Sequence, residues 1–385
     1  MNNNNTALLI TNARLVLADR VIERGWVAAV DGKIAEFGEG AAPERGEDAD
    51  GDIVMPGLVE LHTDHLEAHY VPRPKVYWDP IAAVVSYDGQ LATCGITTVL
   101  DSLRVWREEH AKAADGNAIK LSQAIAAARD TNLLRADHFL HLRCEIPSAG
   151  VIEEAQVLMG RPDVRLASLM DHTPGQRQFR DEEKLRDYYR GKSGGMTDAE
   201  LDVLFAYRIE LQRRYGAANY RAVVQLAQEH GTPLASHDDT TAEHVAEAID
   251  AKVAIAEFPT TTEAAAALHH AGIRVLMGAP NLVRGASHSG NVSSRELAAA
   301  GYLDILSSDY VPSSLLMAAM VMPEVVKGVD LATAVRTVTK TPAEAVGLCD
   351  RGEITPGRRA DLIRVRSFGS VPVVRSVWRE GRRVA

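Results

Sequence analysis

The chain has 385 residues, of which 46% are hydrophobic and 24% are charged. That composition is typical of a folded globular protein and excludes a disordered chain or a fibrous repeat. The 42 Lys and Arg residues against 52 Asp and Glu residues give a net charge of -10. This acidic balance argues against non-specific nucleic-acid binding, although a local cluster of basic residues could still bind an anion.

Signals for export and membrane insertion are not apparent in the sequence. The start, MNNNNTALLI, lacks the basic and apolar regions of a signal peptide, and no apolar stretch approaches the ~20 residues of a membrane span. The three cysteines, Cys94, Cys144 and Cys349, are a sparse, odd set that fits a reducing compartment rather than a disulfide framework. We therefore expect a cytoplasmic protein without a membrane or nucleic-acid partner. A homo-oligomer is compatible with the sequence.

The two ends of the chain share short strand-like segments separated by turns. Residues 1–56 contain several apolar runs, and Asp31-Gly32 between two of them indicates a β-hairpin. Residues 351–385 have the same character, and neither segment could bury a core alone. We predict that both ends combine into one small β-sandwich domain.

The middle of the chain, residues 57–350, alternates short apolar runs with helical stretches such as 114–130, 218–231 and 240–250. The apolar runs are LVELH (58–62), ITTVLD (96–101), HFLHLRCE (138–145), LASLMDH (166–172), PLASHD (233–238), VAIAEF (253–258), IRVLMGAP (273–280) and LDILSSD (303–309). Eight strand–helix units predict an α/β protein with a (β/α)8 TIM-like barrel. Residues 175–222 are highly charged and longer than one connection requires, which predicts a helical insertion.

Histidines and acidic residues recur at the C-terminal ends of the predicted strands, where barrel enzymes hold their catalytic groups. They are His62, Asp64, Glu145, His172, His237 and Asp309. Imidazole and carboxylate ligands without thiolates suit Zn, Mn, Fe(II) or Co. Six ligands are too many for one tetrahedral ion but fit two bridged ions. A single histidine at a strand end is more often a hydrogen-bonded core residue, so the prediction depends on the joint pattern.

Basic residues in the predicted loops on the same side could bind a polyanion. Arg143 shares a strand face with Glu145, and Arg177 and Arg284 lie in later loops. The loop GASHSGN (285–291), which contains His288, could hold a phosphate with its backbone N–H groups. Each arginine could instead pair with a carboxylate of the protein.

Three further residues have alternative interpretations. His65 and His69 are four apart and could meet on one helix face, but HLEAH lacks the glutamate position of HExxH zinc proteases. Cys144 could be a nucleophile, yet its strand parity turns it away from Glu145, which favours a packed thiol.

Several motifs together resemble a known superfamily. PGLVELHTD, a late Thr-Pro-Ala segment at 341–343 and GEITPGRRADL are similar to the amidohydrolase superfamily. The resemblance implies a metal-binding, distorted (β/α)8 barrel flanked by a β-sandwich built from both chain ends. Longer segments, among them SLMDHTPGQRQF and MGAPNLVRGASHSGN, resemble one branch over nearly the whole chain. That branch comprises the ribose 1-methylphosphonate triphosphate diphosphatases of the carbon–phosphorus lyase pathway.

The resemblance implies a metal-dependent hydrolase that releases pyrophosphate from the 5-triphosphate and leaves the 5-phosphate. The six strand-end residues carry over as metal-site residues, and we expect two divalent ions, most simply Zn. In the mechanism that we expect, Asp309 is both a ligand and the catalytic base. Arg143, Arg177, Arg284 and His288 would bind the substrate. The sequence departs from the branch at His65, where Asn is expected after HTD. The alternative is a C–N hydrolase of the same superfamily, a deacetylase or deaminase, because the metal ligands do not separate the two reactions.

Overall fold

The structure is a computed structural model, and it describes residues 7–107, 116–179, 182–192, 196–287 and 290–385. The strands of these ranges are, in chain order, β1 (Leu8–Val16), β2 (Val21–Val30), β3 (Lys33–Glu39), β4 (Glu47–Asp48), β5 (Ile53–Pro56), β6 (Leu58–Thr63), β7 (Ile96–Val105), β8 (Asp137–Glu145), β9 (Val164–Met170), β10 (Leu234–His237), β11 (Ile255–Glu257), β12 (Arg274–Gly278), β13 (Ile305–Ser307), β14 (Leu362–Phe368), β15 (Val371–Arg379) and β16 (Arg382–Arg383).

The helices in the same ranges are α1 (His65–Tyr70), α2 (Pro80–Thr93), α3 (Asn117–Asp130), α4 (Val151–Met159), α5 (Glu182–Lys192), α6 (Asp198–Leu211), α7 (Ala217–His230), α8 (Ala242–Asp250), α9 (Thr262–His270), α10 (Ala279–Arg284), α11 (Ser294–Ala300), α12 (Ser314–Val325), α13 (Leu331–Arg336) and α14 (Lys340–Ala345). None of these helices is long and apolar enough to cross a membrane.

Strands from both chain ends form one sheet in the order β16-β15-β14-β5-β1-β2-β3, with β4 also paired to β1. Asp31 and Gly32 connect β2 to β3 with left-handed φ angles of 50° and 80°, as the hairpin signal predicted. Beyond this turn, Ile34 N–H of β3 donates at 2.8 Å to the carbonyl of Arg358, in the segment that precedes β14. Its core contains Ile10, Val27, Val54, Leu362 and Trp378.

The strands β6 to β13 form the second sheet, in which neighbours along the chain are parallel neighbours in space. Each predicted apolar run overlaps one of them, and the (β/α)8 TIM-like fold is confirmed. A bridge between Thr63 and Asp309 connects the first and last strands. The inside of the barrel is filled by Leu61, Leu100, Leu166, Ile255, Leu276 and Ile305.

The connection between β9 and β10 is mostly helical in the residues that the structure describes. It contains a 3-10 turn (Arg177–Phe179), α5, α6, a π-helical turn (Gln212–Gly216) and α7. Leu185, Leu201 and Phe205 give it a small apolar core of its own. Residues 180–181 and 193–195 of the predicted insertion lie outside the described residues, as do 114–115 of the predicted helix 114–130.

Candidate metal centre

Three buried side chains meet at the carboxyl ends of β6, β10 and β11. One possible ligand atom from each of His62, His237 and Glu257 lies within 4.8 Å of the other two. Glu257 Oε1 is 2.9 Å from His62 Nδ1, and its Oε2 is 3.1 Å from His237 Nδ1. One carboxylate thus contacts both rings at their Nδ1 atoms, so the Nε2 atom of each ring is the possible metal ligand.

A second group shares His237 and adds His172 and Asp238, again with ligand atoms within 4.8 Å of one another. Asp238 Oδ2 is buried, lies 3.3 Å from His237 Nε2, and has no hydrogen-bond donor among the described residues. A buried carboxylate oxygen without a donor is costly unless a cation compensates its charge. This imidazole and carboxylate donor set therefore fits a divalent metal centre.

The charges around Glu257 reinforce that interpretation. Burial alone would raise the pKa of Glu257, but the imidazoles of His62 and His141 outweigh it and hold the pKa well below its usual value. Burial lowers the pKa of His62, yet the Glu257 carboxylate reverses the shift, so the pKa of His62 is raised overall. Burial lowers the pKa of His237. Burial also lowers the pKa of His141, to about 3. Glu257 therefore stays ionised, and an ionised carboxylate beside imidazole nitrogens favours a bound cation.

Asp309 follows β13 in a left-handed conformation, with φ of 54°. Its N–H donates to the carbonyl of His62 at 3.1 Å, which anchors it beside the first cluster. Burial is the main cause that raises the pKa of Asp309 to about 6, against the lowering effect of His62. A carboxyl group in this setting can accept a proton near neutral pH.

The other two predicted acidic ligands border the clusters. Glu145 lies 2.8 Å and 3.1 Å from His172 Nδ1 through its two oxygens, and its Oε2 is 3.2 Å from Arg104 Nη2. Asp64 has a half-exposed side chain, with Arg143 Nη1 at 3.5 Å. The structure thus brings His62, His172 and His237 into the clusters and places Asp64, Glu145 and Asp309 around them.

The predicted substrate-binding arginines differ in their surroundings. Arg143 is partly buried beside Asp64, and its Nε lies 3.5 Å from the sulfur of Met170. Arg177 donates from Nη1 to Asp239 Oδ1 at 2.8 Å and to the carbonyl of His237 at 2.9 Å, so it already has protein partners. Arg284 is exposed at the end of α10. His288, which was also predicted to bind the substrate, lies outside the described residues.

The two residues with alternative interpretations in α1 stay apart from the clusters. The rings of His65 and His69 are 5.6 Å apart, and His69 Nε2 is 2.9 Å from Gln90 Oε1. Cys144 is buried in the apolar core, and burial raises the pKa of its thiol to about 12. A neutral, packed thiol is a poor nucleophile.

Sequence reasoning missed Glu257 and Asp238. Glu257 lies near the end of the predicted strand VAIAEF, where no candidate ligand was predicted. Asp238 directly follows His237 in ASHDD. A search for every acidic residue at the end of an apolar run would have found both.

Comparison with known proteins assigns the family. The sequence model of the amidohydrolase family matches residues 95–385. The chain belongs to the amidohydrolase family. It is 44% identical, over 380 residues, to the α-D-ribose 1-methylphosphonate 5-triphosphate diphosphatase of Escherichia coli (strain K12), a match that covers 98% of this chain and 100% of that protein. The resemblance indicated by the motifs and the assignment to a hydrolase of this superfamily are confirmed.

Solved structures share the fold of this amidohydrolase at low sequence identity. A 5-methylcytosine deaminase from Klebsiella pneumoniae, liganded with phosphonocytosine, has a TM-score of 0.65 at 16% identity, over 98% of both chains. An N-acetyl-D-glucosamine-6-phosphate deacetylase from Mycobacterium smegmatis has a TM-score of 0.62 at 15% identity, over 98% of this chain and 99% of that chain. These two matches establish the architecture and leave the reaction to other observations.

Proposed function

We propose that this amidohydrolase hydrolyses α-D-ribose 1-methylphosphonate 5-triphosphate to the 5-phosphate and pyrophosphate, as a diphosphatase of phosphonate catabolism. The observation that carries the proposal is the 44% identity to the Escherichia coli diphosphatase across 98% of this chain. The histidine and carboxylate clusters at the barrel mouth supply donors for the metal chemistry that such a reaction uses. The sparse, free cysteines support a cytoplasmic location for the enzyme.

The proposed cofactor is a pair of divalent ions, with Zn as the expected metal and Mn, Fe or Co as alternatives. Bound ions of this kind lower the pKa of water and polarise phosphoryl oxygens. The ring nitrogens of His62, His172 and His237 and the buried oxygen of Asp238 are the donors with the best geometry. Asp64, Glu145 and Asp309 remain proposed ligands because each borders a cluster.

In the proposed reaction, a water oxygen attacks the α-phosphorus in line. The bond from this phosphorus to the bridging oxygen breaks, its electron pair leaves with pyrophosphate, and Asp309 takes the proton of the water. The transition state spreads negative charge over phosphoryl oxygens, so nearby positive groups lower the barrier. Arg143, which pairs with Asp64, is a proposed positive group of this kind.

Arg177, Arg284 and His288 remain proposed substrate-binding residues, although their roles need not be alike. Arg177 is bonded to the segment that carries His237, so part of its effect would be to hold that segment in place. Arg284 is exposed and therefore free to meet a polyphosphate at the rim.

Phosphorus NMR of the purified protein with the proposed substrate tests the reaction. We expect pyrophosphate and a 5-monophosphate to appear together, and we expect a chelator to stop their formation. Stepwise release of orthophosphate would contradict the proposal. A parallel assay with an N-acetylated sugar phosphate and with 5-methylcytosine tests the C–N hydrolase alternative. Turnover of either compound, with an intact triphosphate, would favour that alternative.

A further inference from the structure

The barrel is not closed by a regular strand ladder between β13 and β6. Val59 N–H of β6 donates to the carbonyl of Val338 at 2.9 Å, and Leu306 N–H of β13 donates to the carbonyl of Thr337 at 3.0 Å. The carbonyl groups of residues 337–338 thus accept hydrogen bonds from both strands, at positions where β6 and β13 do not pair with each other. The strands come together only at their carboxyl ends, where His62 and Asp309 lie.

One buried carboxylate joins the two strands at that point. Glu60 Oε1 accepts the N–H of His62 at 2.7 Å, and Glu60 Oε2 accepts the N–H of Ser308 at 2.6 Å. Glu60 is completely buried. Two short hydrogen bonds from backbone N–H groups to the two oxygens of one carboxyl group, shielded from water, hold both strands in a defined geometry.

We propose that Glu60 is a positioning residue that sets the spacing between His62 and Asp309 by joining β6 to β13 through both of its oxygens. This inference rests on the proposed function only in assigning His62 and Asp309 to the metal and proton chemistry. The two bonded N–H groups belong to His62 itself and to the residue just before Asp309. A shift of either strand would therefore move a proposed ligand directly, and metal sites are sensitive to such small displacements.

The chemistry of the carboxylate is what makes the position specific. The N–H groups of His62 and Ser308 are both donors, so a side chain that bonds to both of them needs two acceptor atoms. Glutamine offers one acceptor and one NH₂ group, which would face a donor. Aspartate keeps both acceptors but is shorter by one methylene.

The experiment compares Glu60→Gln and Glu60→Asp with the wild type and with Glu36→Gln, a control on an exposed glutamate of β3. Zinc affinity is measured by chelator competition without substrate, and kcat and KM are measured with the triphosphate. We expect Glu60→Gln to lose roughly 10- to 100-fold in zinc affinity and in kcat, with little change in KM, because supporting residues around metal ligands have effects of this size. Glu60→Asp should recover part of both losses, and Glu36→Gln should match the wild type.

Wild-type zinc affinity and kcat in folded Glu60→Gln would overturn the inference, as would a change confined to KM. If Glu60→Gln does not fold, as judged by circular dichroism, Glu60→Asp decides the question by the same two measurements. The zinc measurement also separates this inference from the proposed function, because it does not depend on which substrate is turned over.

Discussion

At the scale of single residues, the carboxyl groups around the clusters differ in what they already bond. Glu257 and Glu145 face the Nδ1 atoms of histidines, so they orient imidazole rings. Asp238 keeps a buried oxygen without a donor in the described residues, and Asp309 is held mainly by its backbone. The two aspartates are therefore the acidic side chains whose oxygens are available for a cation or a proton.

The role of Asp309 as a base predicts the behaviour of Asp309→Asn. The amide keeps one oxygen that can ligate weakly but cannot take a proton, so kcat should fall by roughly 10²–10⁴ while metal is partly retained. Elemental analysis and kcat on the same preparation check both parts. A metal-replete variant with near-normal kcat would limit Asp309 to the role of a ligand.

Three of the predicted ligands, His62, His172 and His237, lie in the clusters because strand ends of a parallel barrel share one rim. Pattern alone does not say which strand-end acid orients a ring and which is free, because that depends on side-chain contacts across the barrel. The same limit applies to Arg177, whose pairing with Asp239 connects residues 62 positions apart.

At the scale of elements, a glycine lets β6 lie close to β7. A Cβ on Gly57, just before β6, would lie 2.2 Å from Thr97 Oγ1 and 2.4 Å from Thr97 Cγ2. Gly89 in the middle of α2 is different, because a Cβ there would meet only Arg135 Nη1, at 3.7 Å.

These two glycines form a matched pair for stability measurements. Gly57→Ala forces the strands apart and should lower the free energy of unfolding by about 1–3 kcal/mol. Gly89→Ala should raise it by about 0.5–1 kcal/mol, because alanine reduces the entropy lost in forming a helix. Urea unfolding measures both changes. Equal effects of the two substitutions would show that the close contact at Thr97 does not constrain β6.

Apolar periodicity was sufficient to predict the barrel strands and helices such as 218–231, observed as Ala217–His230. It could not predict the π-helical turn Gln212–Gly216, where Gln212 Nε2 donates to Asp171, the residue just after β9. Nor could it predict the junction of β6 and β13, because that junction is made by one side chain and by residues 337–338. Both features depend on contacts between segments far apart in sequence.

At the scale of the whole molecule, one aspartate connects the barrel to the C-terminal part of the chain. Asp137 Oδ2, at the start of β8, lies 2.7 Å from Arg351 Nη1 and 2.8 Å from Arg359 Nη1. Its Oδ1 is 3.5 Å from Arg379 Nη1 in β15. Burial alone would raise the pKa of Asp137, but Arg359 and Arg351 outweigh it and lower the pKa.

Replacing this carboxylate should weaken the connection. Asp137→Asn should lower the free energy of unfolding by about 1.5–3 kcal/mol, the value of hydrogen bonds to charged groups. Asp19→Asn, at an exposed ion pair with Arg20, is the control and should change it by less than about 0.5 kcal/mol. Urea unfolding at neutral pH compares the two variants.

The difference in free energy of unfolding between the wild type and Asp137→Asn should also depend on pH. The pKa of Asp137 is lower in the folded chain than its ordinary value of 3.8, so its contribution is fully present above that pH and is lost as the pH falls through the folded value. The stability difference between wild type and Asp137→Asn should therefore narrow in acid. A difference that stays constant from neutral pH into strong acid would contradict the assigned role.

The most direct test of the proposed function follows the oxygen atom of water. Hydrolysis in water enriched in oxygen-18, followed by phosphorus NMR, locates the label through its isotope shift. Attack at the α-phosphorus predicts oxygen-18 in the ribose 5-phosphate product and none in the pyrophosphate, with product formation abolished by a chelator. Label in the pyrophosphate, or release of orthophosphate in place of pyrophosphate, would contradict the account.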